Sequence, residues 1–264
     1  MTNRDGTPIW YELMTDAPDV AQDFYGKVMG WQFRKPPGGL DRDYRTFATE
    51  EGEGVGGVMH TPDRAKGRPA TWDVYFGVAD VDAMAAKVEE LGGSIHMEPQ
   101  DIPGVGRFAF VSDPQGATFY LMRGDSDGQS TAFAPMKAGH CSWNELVTSD
   151  QVAALEFYGK LFGWKKTGAM PMGPNGDYTF VGQDDSDMIG AMMNAEKPGE
   201  APFWNFAFNV PDIDTAKAAV EAGAGTVTHG PMELPGDEGD WLIQANDPQG
   251  AKVMFTGKRN QGAK

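Results

Sequence analysis

The sequence of 264 residues holds one cysteine, Cys141. An internal disulfide is excluded, and so is a zinc site built from several thiolates. Histidine is scarce as well, with four residues: His60, His96, His140 and His229. Basic residues are outnumbered, 22 Lys and Arg against 38 Asp and Glu, for a net charge of −16. Nucleic acid and anionic membrane surfaces are recognised through cationic contacts, so neither is expected as a partner. No apolar run approaches the ~20 residues that span a bilayer. Residues 1–7 carry no apolar signal core. The expectation is a cytoplasmic protein.

Apolar residues make up 40% of the chain, enough for proper cores in two domains of ordinary size. The chain is a tandem duplication. Trp10-Tyr11-Glu12-Leu13, Thr15, Phe24-Tyr25-Gly26-Lys27 and Gly30-Trp31 return as Trp143-Asn144-Glu145-Leu146, Thr148, Phe157-Tyr158-Gly159-Lys160 and Gly163-Trp164. Eleven of the 22 positions from Trp10 to Trp31 are identical in the second copy. A finer repeat lies inside each copy. Trp10, Trp72, Trp143 and Trp204 each open a strand that leads into an amphipathic helix stopped by glycine: Gly30, Gly92, Gly163 and Gly223. Three further strands are expected after each helix. Asp16 is the expected N-cap of the first helix, with Pro18 in its first turn. The second copy's first strand is expected at 140–148 and its helix at 151–162. The turns Asp113-Pro114-Gln115-Gly116 and Asp247-Pro248-Gln249-Gly250 precede the last strand of each copy, with the spacing of a type I turn.

Four such modules in two pairs resemble the vicinal oxygen chelate superfamily, which holds glyoxalase, bleomycin-resistance and extradiol dioxygenase proteins. The resemblance rests on the Phe-Tyr…Gly-Trp segments and the two Asp-Pro-Gln-Gly turns. It implies an α+β fold of four βαβββ modules, paired into two tandem glyoxalase-like domains with curved mixed sheets. The domains are expected at 1–124 and 138–264, joined by a linker at 125–137. In the family's enzymes a cleft holds a divalent metal, bound by a His or Gln on the first strand of each module and a Glu on the last. The position fifteen residues before the Tyr of the Phe-Tyr pair is the first of these, and here it holds Trp10 and Trp143. Helix-stop spacing puts the second-module ligand at Trp72 and Trp204. The closing Glu, seven residues after the Asp of the turn, is replaced by Tyr120 and Met254. The remaining ligand position falls near residues 58–60 and 192–194. Indole nitrogen only donates hydrogen bonds and cannot bind a metal.

The expectation is therefore a small-molecule-binding protein without the usual metal site, a sequestration or resistance protein with aromatic clefts. Trp10, Trp72, Tyr120, Trp143, Trp204, Phe206 and Met254 are its candidate ligand-binding residues, although core filling is the commoner fate of a strand tryptophan. The ligand is expected to be a small organic molecule, aromatic or cationic. No cofactor is expected, with a divalent metal as the alternative and His60 as its one weak candidate ligand. Glu12 and Glu145 each lie two residues after a tryptophan, on the same strand face. A carboxylate there is a candidate acid or base, weighed evenly against a structural role. The rival expectation is an enzyme: a glyoxalase-like lyase or dioxygenase with a rearranged metal site, or a metal-free acid–base catalyst using Glu12 or Glu145. His140 is read as facing away from Trp143, His96 and His229 as surface residues, and Cys141 as an inert buried thiol. Duplication within the chain suits a monomer, with a homodimer as the alternative.

Overall fold

A computed structural model describes residues 3–36, 43–135, 137–184, 187–197, 199–236 and 239–259. Met136, inside the expected linker, lies outside them. The first copy runs β1 (Thr7–Thr15), α1 (Pro18–Met29), β2 (Gln32–Arg34), β3 (Tyr44–Ala48), β4 (Gly54–His60), β5 (Thr71–Gly77), α2 (Val81–Glu90), β6 (Ser94–Ile102), β7 (Gly106–Ser112) and β8 (Thr118–Gly124). The second repeats it as β9 (Cys141–Thr148), α3 (Gln151–Phe162), β10 (Lys165–Pro171), β11 (Asp177–Gly182), β12 (Met188–Asn194), β13 (Phe203–Val210), α4 (Ile213–Ala222), β14 (Thr226–Glu233), β15 (Asp240–Asn246) and β16 (Lys252–Lys258). Each copy supplies one open eight-stranded mixed sheet, in the order β2-β3-β4-β1-β5-β8-β7-β6 and β10-β11-β12-β9-β13-β16-β15-β14. The four-module α+β architecture is as the repeats imply.

Local chemistry sets the element boundaries. In α1, Pro18, Ala21, Phe24, Tyr25 and Val28 recur at helical spacing and are buried. Its N-cap is Ala17 rather than the expected Asp16, with Pro18 as the first helical residue. Thr15 Oγ1 accepts the Ala17 N–H at 3.2 Å, so the preceding strand supplies the polar atom. Asp80, Asp150 and Asp212 cap the other helices by accepting backbone N–H groups. Gly30 and Gly163 end α1 and α3 in the left-handed conformation.

In each copy the first and fourth strands pair in parallel, setting Glu12 against Gly57 and Glu145 against Ala191. This approach is too close for any side chain at one position. A Cβ on Gly56 would lie 2.0 Å from the Tyr11 carbonyl oxygen, and one on Gly190 would lie 1.8 Å from that of Asn144.

Contacts divide the chain into two compact units, each drawn from both copies. One comprises residues 10–72, 131–142 and 206–264; the other comprises 1–9, 73–130 and 143–205. They are called the Trp10 unit and the Trp143 unit below. Helices α1 and α4 pack together in the first, α2 and α3 in the second. No helix among the described residues is long and apolar enough to cross a membrane.

Candidate functional site

Alternation along a strand decides which side chains meet. On β1, Tyr11 is fully buried, its ring edge-on to Phe206 and Phe208 at 5.1 and 5.6 Å. Trp10 and Glu12 therefore share the opposite face. There the Trp10 Nε1–H donates to the Tyr44 hydroxyl at 3.2 Å, and Tyr44 is hydrogen-bonded to Glu12. The Trp143 unit repeats this with other residues. Trp143 Nε1–H donates to Tyr178 Oη at 2.8 Å. Tyr178 Oη–H donates to Glu145 Oε2, also at 2.8 Å. The Asn205 amide adds a donor to Glu145 Oε1 at 3.4 Å. Each unit thus carries a Trp→Tyr→Glu relay.

The relay's direction is fixed by chemistry. Indole N–H can only donate, so it takes a lone pair of the tyrosine oxygen and sends the phenol's proton toward the carboxylate. Burial, and then the neighbouring Glu12 carboxylate, raise the Tyr44 phenol far above its ordinary value. Burial and Glu145 act on Tyr178 in the same way. Both phenols keep their protons across the physiological range. The indoles and phenols are half-buried, while Glu12 and Glu145 lie nearly buried behind them. Phe180 continues the aromatic wall in the Trp143 unit, its ring 5.9 Å from Trp143 and 5.8 Å from Tyr178.

The four module-opening tryptophans do not share one environment. Trp72 and Trp204 are buried in aromatic clusters on the helix side of their strands. Trp72 Nε1–H donates to Tyr25 Oη of α1 at 3.0 Å, and its ring meets Tyr25, Trp31, Phe47 and Phe208. Trp204 meets Phe76, Tyr158 and Trp164. The expected equivalence of Trp72 and Trp204 with Trp10 and Trp143 is thus off by one residue. The next positions, Asp73 and Asn205, face the other way. Phe206 joins Tyr11 in the buried cluster, on the same strand face as Trp204. Tyr120 and Met254 lie on the face opposite such clusters: Tyr120 stacks on Tyr75 at 4.2 Å, and Met254 pairs with Ala207. The open question at residues 58–60 and 192–194 resolves to methionine. Met59 pairs with Met14, and Met193 with Val147, on the same strand faces as Glu12 and Glu145.

His60 is exposed at the end of β4, on the face opposite Met59, with Nδ1 3.0 Å from the Thr61 carbonyl oxygen. Among the described residues, no group of three or more His, Cys, Asp or Glu side chains is placed to hold a metal ion. Around Glu12 and Glu145 stand indoles and protonated phenols, and Asn205 turns its amide nitrogen rather than its oxygen toward Glu145, so the neighbours of each carboxylate are proton donors rather than fellow ligands. These residues do not fit the divalent cation that the resemblance implies. Cys141 is buried and takes part in no disulfide. His140, just before β9, is fully buried, its ring nitrogens 2.6 Å from the Thr131 carbonyl oxygen and 3.2 Å from Glu53 Oε2.

Three participants escape a reading of the sequence by motif. Tyr44 and Tyr178 recur at the same place in both copies, and that recurrence on an alternating strand was the available signal. Asn205 has none, since the first copy has Asp73 there. The recognisable motifs do something else. Tyr25 Oη–H donates to Asp247 Oδ2 and Tyr158 Oη–H to Asp113 Oδ2, each at 3.2 Å. The Phe-Tyr helix of one copy is thereby tied to the Asp-Pro-Gln-Gly turn of the other. The Asp113 Oδ1 atom accepts the Gln115, Gly116 and Ala117 N–H groups at 2.8–2.9 Å.

A sequence profile of the Glyoxalase/Bleomycin resistance protein/Dioxygenase superfamily matches residues 8–121 and 137–255. The chain is 32% identical to "Putative glyoxylase CFP32" of Mycobacterium tuberculosis over 249 residues, covering 94% of this chain and 93% of that one. It is 35% identical to "Anthracycline biosynthesis protein DnrV" of Streptomyces peucetius, covering 93% and 91%. Among solved structures it resembles the Mn(II)-bound glyoxalase from Novosphingobium aromaticivorans, with a TM-score of 0.66, 17% identity and coverage of 97% and 83%. It also resembles a single-residue variant of homoprotocatechuate 2,3-dioxygenase from B. fuscum, with a TM-score of 0.70, 15% identity and coverage of 98% and 73%. With both copies matched across most of the chain, the protein belongs to the Glyoxalase/Bleomycin resistance protein/Dioxygenase superfamily.

Proposed function

We propose that this protein binds a planar aromatic small molecule against its Trp→Tyr→Glu relays, without a metal ion. The carrying observation is the relay itself, present in both units where the family's first metal ligand is expected. A half-buried indole beside a protonated phenol offers a flat, polarisable wall, and the carboxylate behind it gives orientation. The name of the 35%-identical relative supports the ligand class, since anthracyclines are planar, polycyclic and hydroxylated. Sequestration, with no bond made or broken, is the simplest activity this arrangement supports. A buried cysteine outside any disulfide suits a reducing, cytoplasmic setting.

The test is a titration of EDTA-treated protein with an anthracycline, followed by quenching of tryptophan fluorescence. Saturable binding that survives chelation and weakens at least tenfold in Trp143→Ala is the expected result. Binding that requires a stoichiometric divalent metal would overturn the reading.

A second reading is favoured by the 2.8 Å Tyr178–Glu145 hydrogen bond: a metal-free acid–base enzyme in which Glu145, or Glu12 in the other unit, moves a proton. Turnover insensitive to EDTA and lost in Glu145→Gln would establish it over sequestration.

A further inference from the structure

The relay ends in hydrogen-bond acceptors. In the Trp143 unit both Glu145 oxygens face protein donors, Tyr178 Oη–H on one side and the Asn205 amide on the other. Turning its Nδ2 toward the carboxylate points the other end of the Asn205 carboxamide elsewhere. That atom, Oδ1, is buried and has no hydrogen-bond partner. Asn205 as a whole is 8% exposed. A buried carbonyl oxygen left unpaired loses its hydration without a hydrogen bond to offset it. The amide cannot relieve this by flipping, because Oδ1 would then face the carboxylate, acceptor against acceptor. Glu145 thus holds Asn205 in the orientation that leaves an acceptor orphaned.

Tyr178, which donates to the same carboxylate, belongs to an aromatic wall with Trp143 and Phe180. A metal centre would present a Lewis acid to a ligand's oxygens. Here the polar groups are a carboxylate and a carboxamide oxygen, which present electron pairs.

We infer that Glu145 and Asn205 select a ligand by its hydrogen-bond donors: a planar aromatic molecule bearing hydroxyl or amino N–H groups at its edge, held with its ring against Trp143. This inference rests on the ligand-binding reading above and adds the polarity of the contact. Asn205 is the specificity-determining residue, because its orphaned Oδ1 is satisfied only by a donor. A ligand presenting only ether or carbonyl oxygens leaves that atom unpaired and sets a second acceptor beside it.

The probes are 2,6-dihydroxyanthraquinone, 2,6-diaminoanthraquinone and 2,6-dimethoxyanthraquinone, which share one ring system and differ in donor capacity. Each is titrated into the full EDTA-treated chain and followed by tryptophan fluorescence. The dihydroxy and diamino compounds are expected to bind at least tenfold more tightly than the dimethoxy compound. Asn205→Leu should remove most of that difference, weakening the dihydroxy and diamino compounds and relieving the acceptor clash of the dimethoxy compound. Glu145→Gln, which adds a donor, should narrow the difference from both sides.

Equal affinity of the wild-type chain for all three probes overturns the donor inference and leaves the ligand-binding reading standing. No binding of any of the three overturns both. Because the wild-type comparison needs no variant, a misfolded substitution cannot mask the result.

Discussion

The two relays began as copies and are no longer the same. Both keep the tryptophan, the tyrosine and the glutamate. The Trp143 unit holds its indole–phenol hydrogen bond at 2.8 Å, the Trp10 unit at 3.2 Å. Phe180 lies beside the second relay, whereas the corresponding residue of the first copy is Thr46, whose hydroxyl donates to the Arg34 carbonyl oxygen. Asn205 reaches Glu145, while its counterpart Asp73 accepts a long hydrogen bond from Thr118 at 3.5 Å. Beside the glutamate, Gly57 in one unit stands for Ala191 in the other. Duplication preserved the chain of donors and changed what surrounds it. A shared motif therefore does not make two equivalent sites: the Trp143 unit has a phenylalanine and a carboxamide where the first copy has a threonine and a carboxylate.

The comparison can be strained at its scaffold first. Gly56→Ala and Gly190→Ala each drive a Cβ into a backbone oxygen, at 2.0 and 1.8 Å. Each should destabilise by about 3 kcal/mol or more, read by chemical unfolding. A large loss in one variant and none in the other would show that the scaffold, and not only the relay's surroundings, has diverged.

Next comes alkaline pH. Burial, then the Asp247 and Asp113 carboxylates, raise the Tyr25 and Tyr158 phenols well above 10.0. The folded chain therefore keeps these protons where the unfolded chain loses them. Their contribution is intact below about pH 10 and falls as pH rises beyond it, by about 1.4 kcal/mol per pH unit for each tyrosine. Tyr25→Phe and Tyr158→Phe should flatten the decline equally, although each lowers stability at neutral pH. Unequal slopes in thermal melts between pH 9 and 11 would mark the two links as inequivalent.

The smallest effect separates the relays themselves. A Cβ on Gly57 would lie 2.4 Å from the Tyr44 hydroxyl. Gly57→Ala should displace that phenol and cost about 1–2 kcal/mol. Ala191→Gly has no such collision to relieve and should lose only about 0.5–1 kcal/mol of backbone order. If Gly57→Ala is neutral, Tyr44 is not held against Glu12 as tightly as the comparison requires.

Much of the fold is legible in the sequence because the repeat carries it. Helix α3 lies at 151–162, where the apolar spacing and the Gly163 stop put it. Face assignment in β5 and β13 is a different matter. Nearly every residue of Thr-Trp-Asp-Val-Tyr-Phe-Gly is buried, as in Phe-Trp-Asn-Phe-Ala-Phe-Asn-Val. Without polar–apolar alternation nothing in the pattern says which side a tryptophan takes. That is why the sequence pattern groups Trp72 and Trp204 with Trp10 and Trp143 and does not single out Asn205. In β1 and β9 the repeated Trp-x-Glu fixes the face, and the same-side placement of Trp10 with Glu12 and Trp143 with Glu145 could be read directly.

The ties from Tyr25 to Asp247 and from Tyr158 to Asp113 have a genetic consequence. Neither copy, expressed alone, contains a whole unit, for each helix's tyrosine finds its carboxylate in the other copy's turn. A chain severed near residue 130 yields two fragments that must complement one another to restore either core. Drift in one copy's turn is thus judged by the helix of its sibling, and the pair of copies is inherited as one unit of selection.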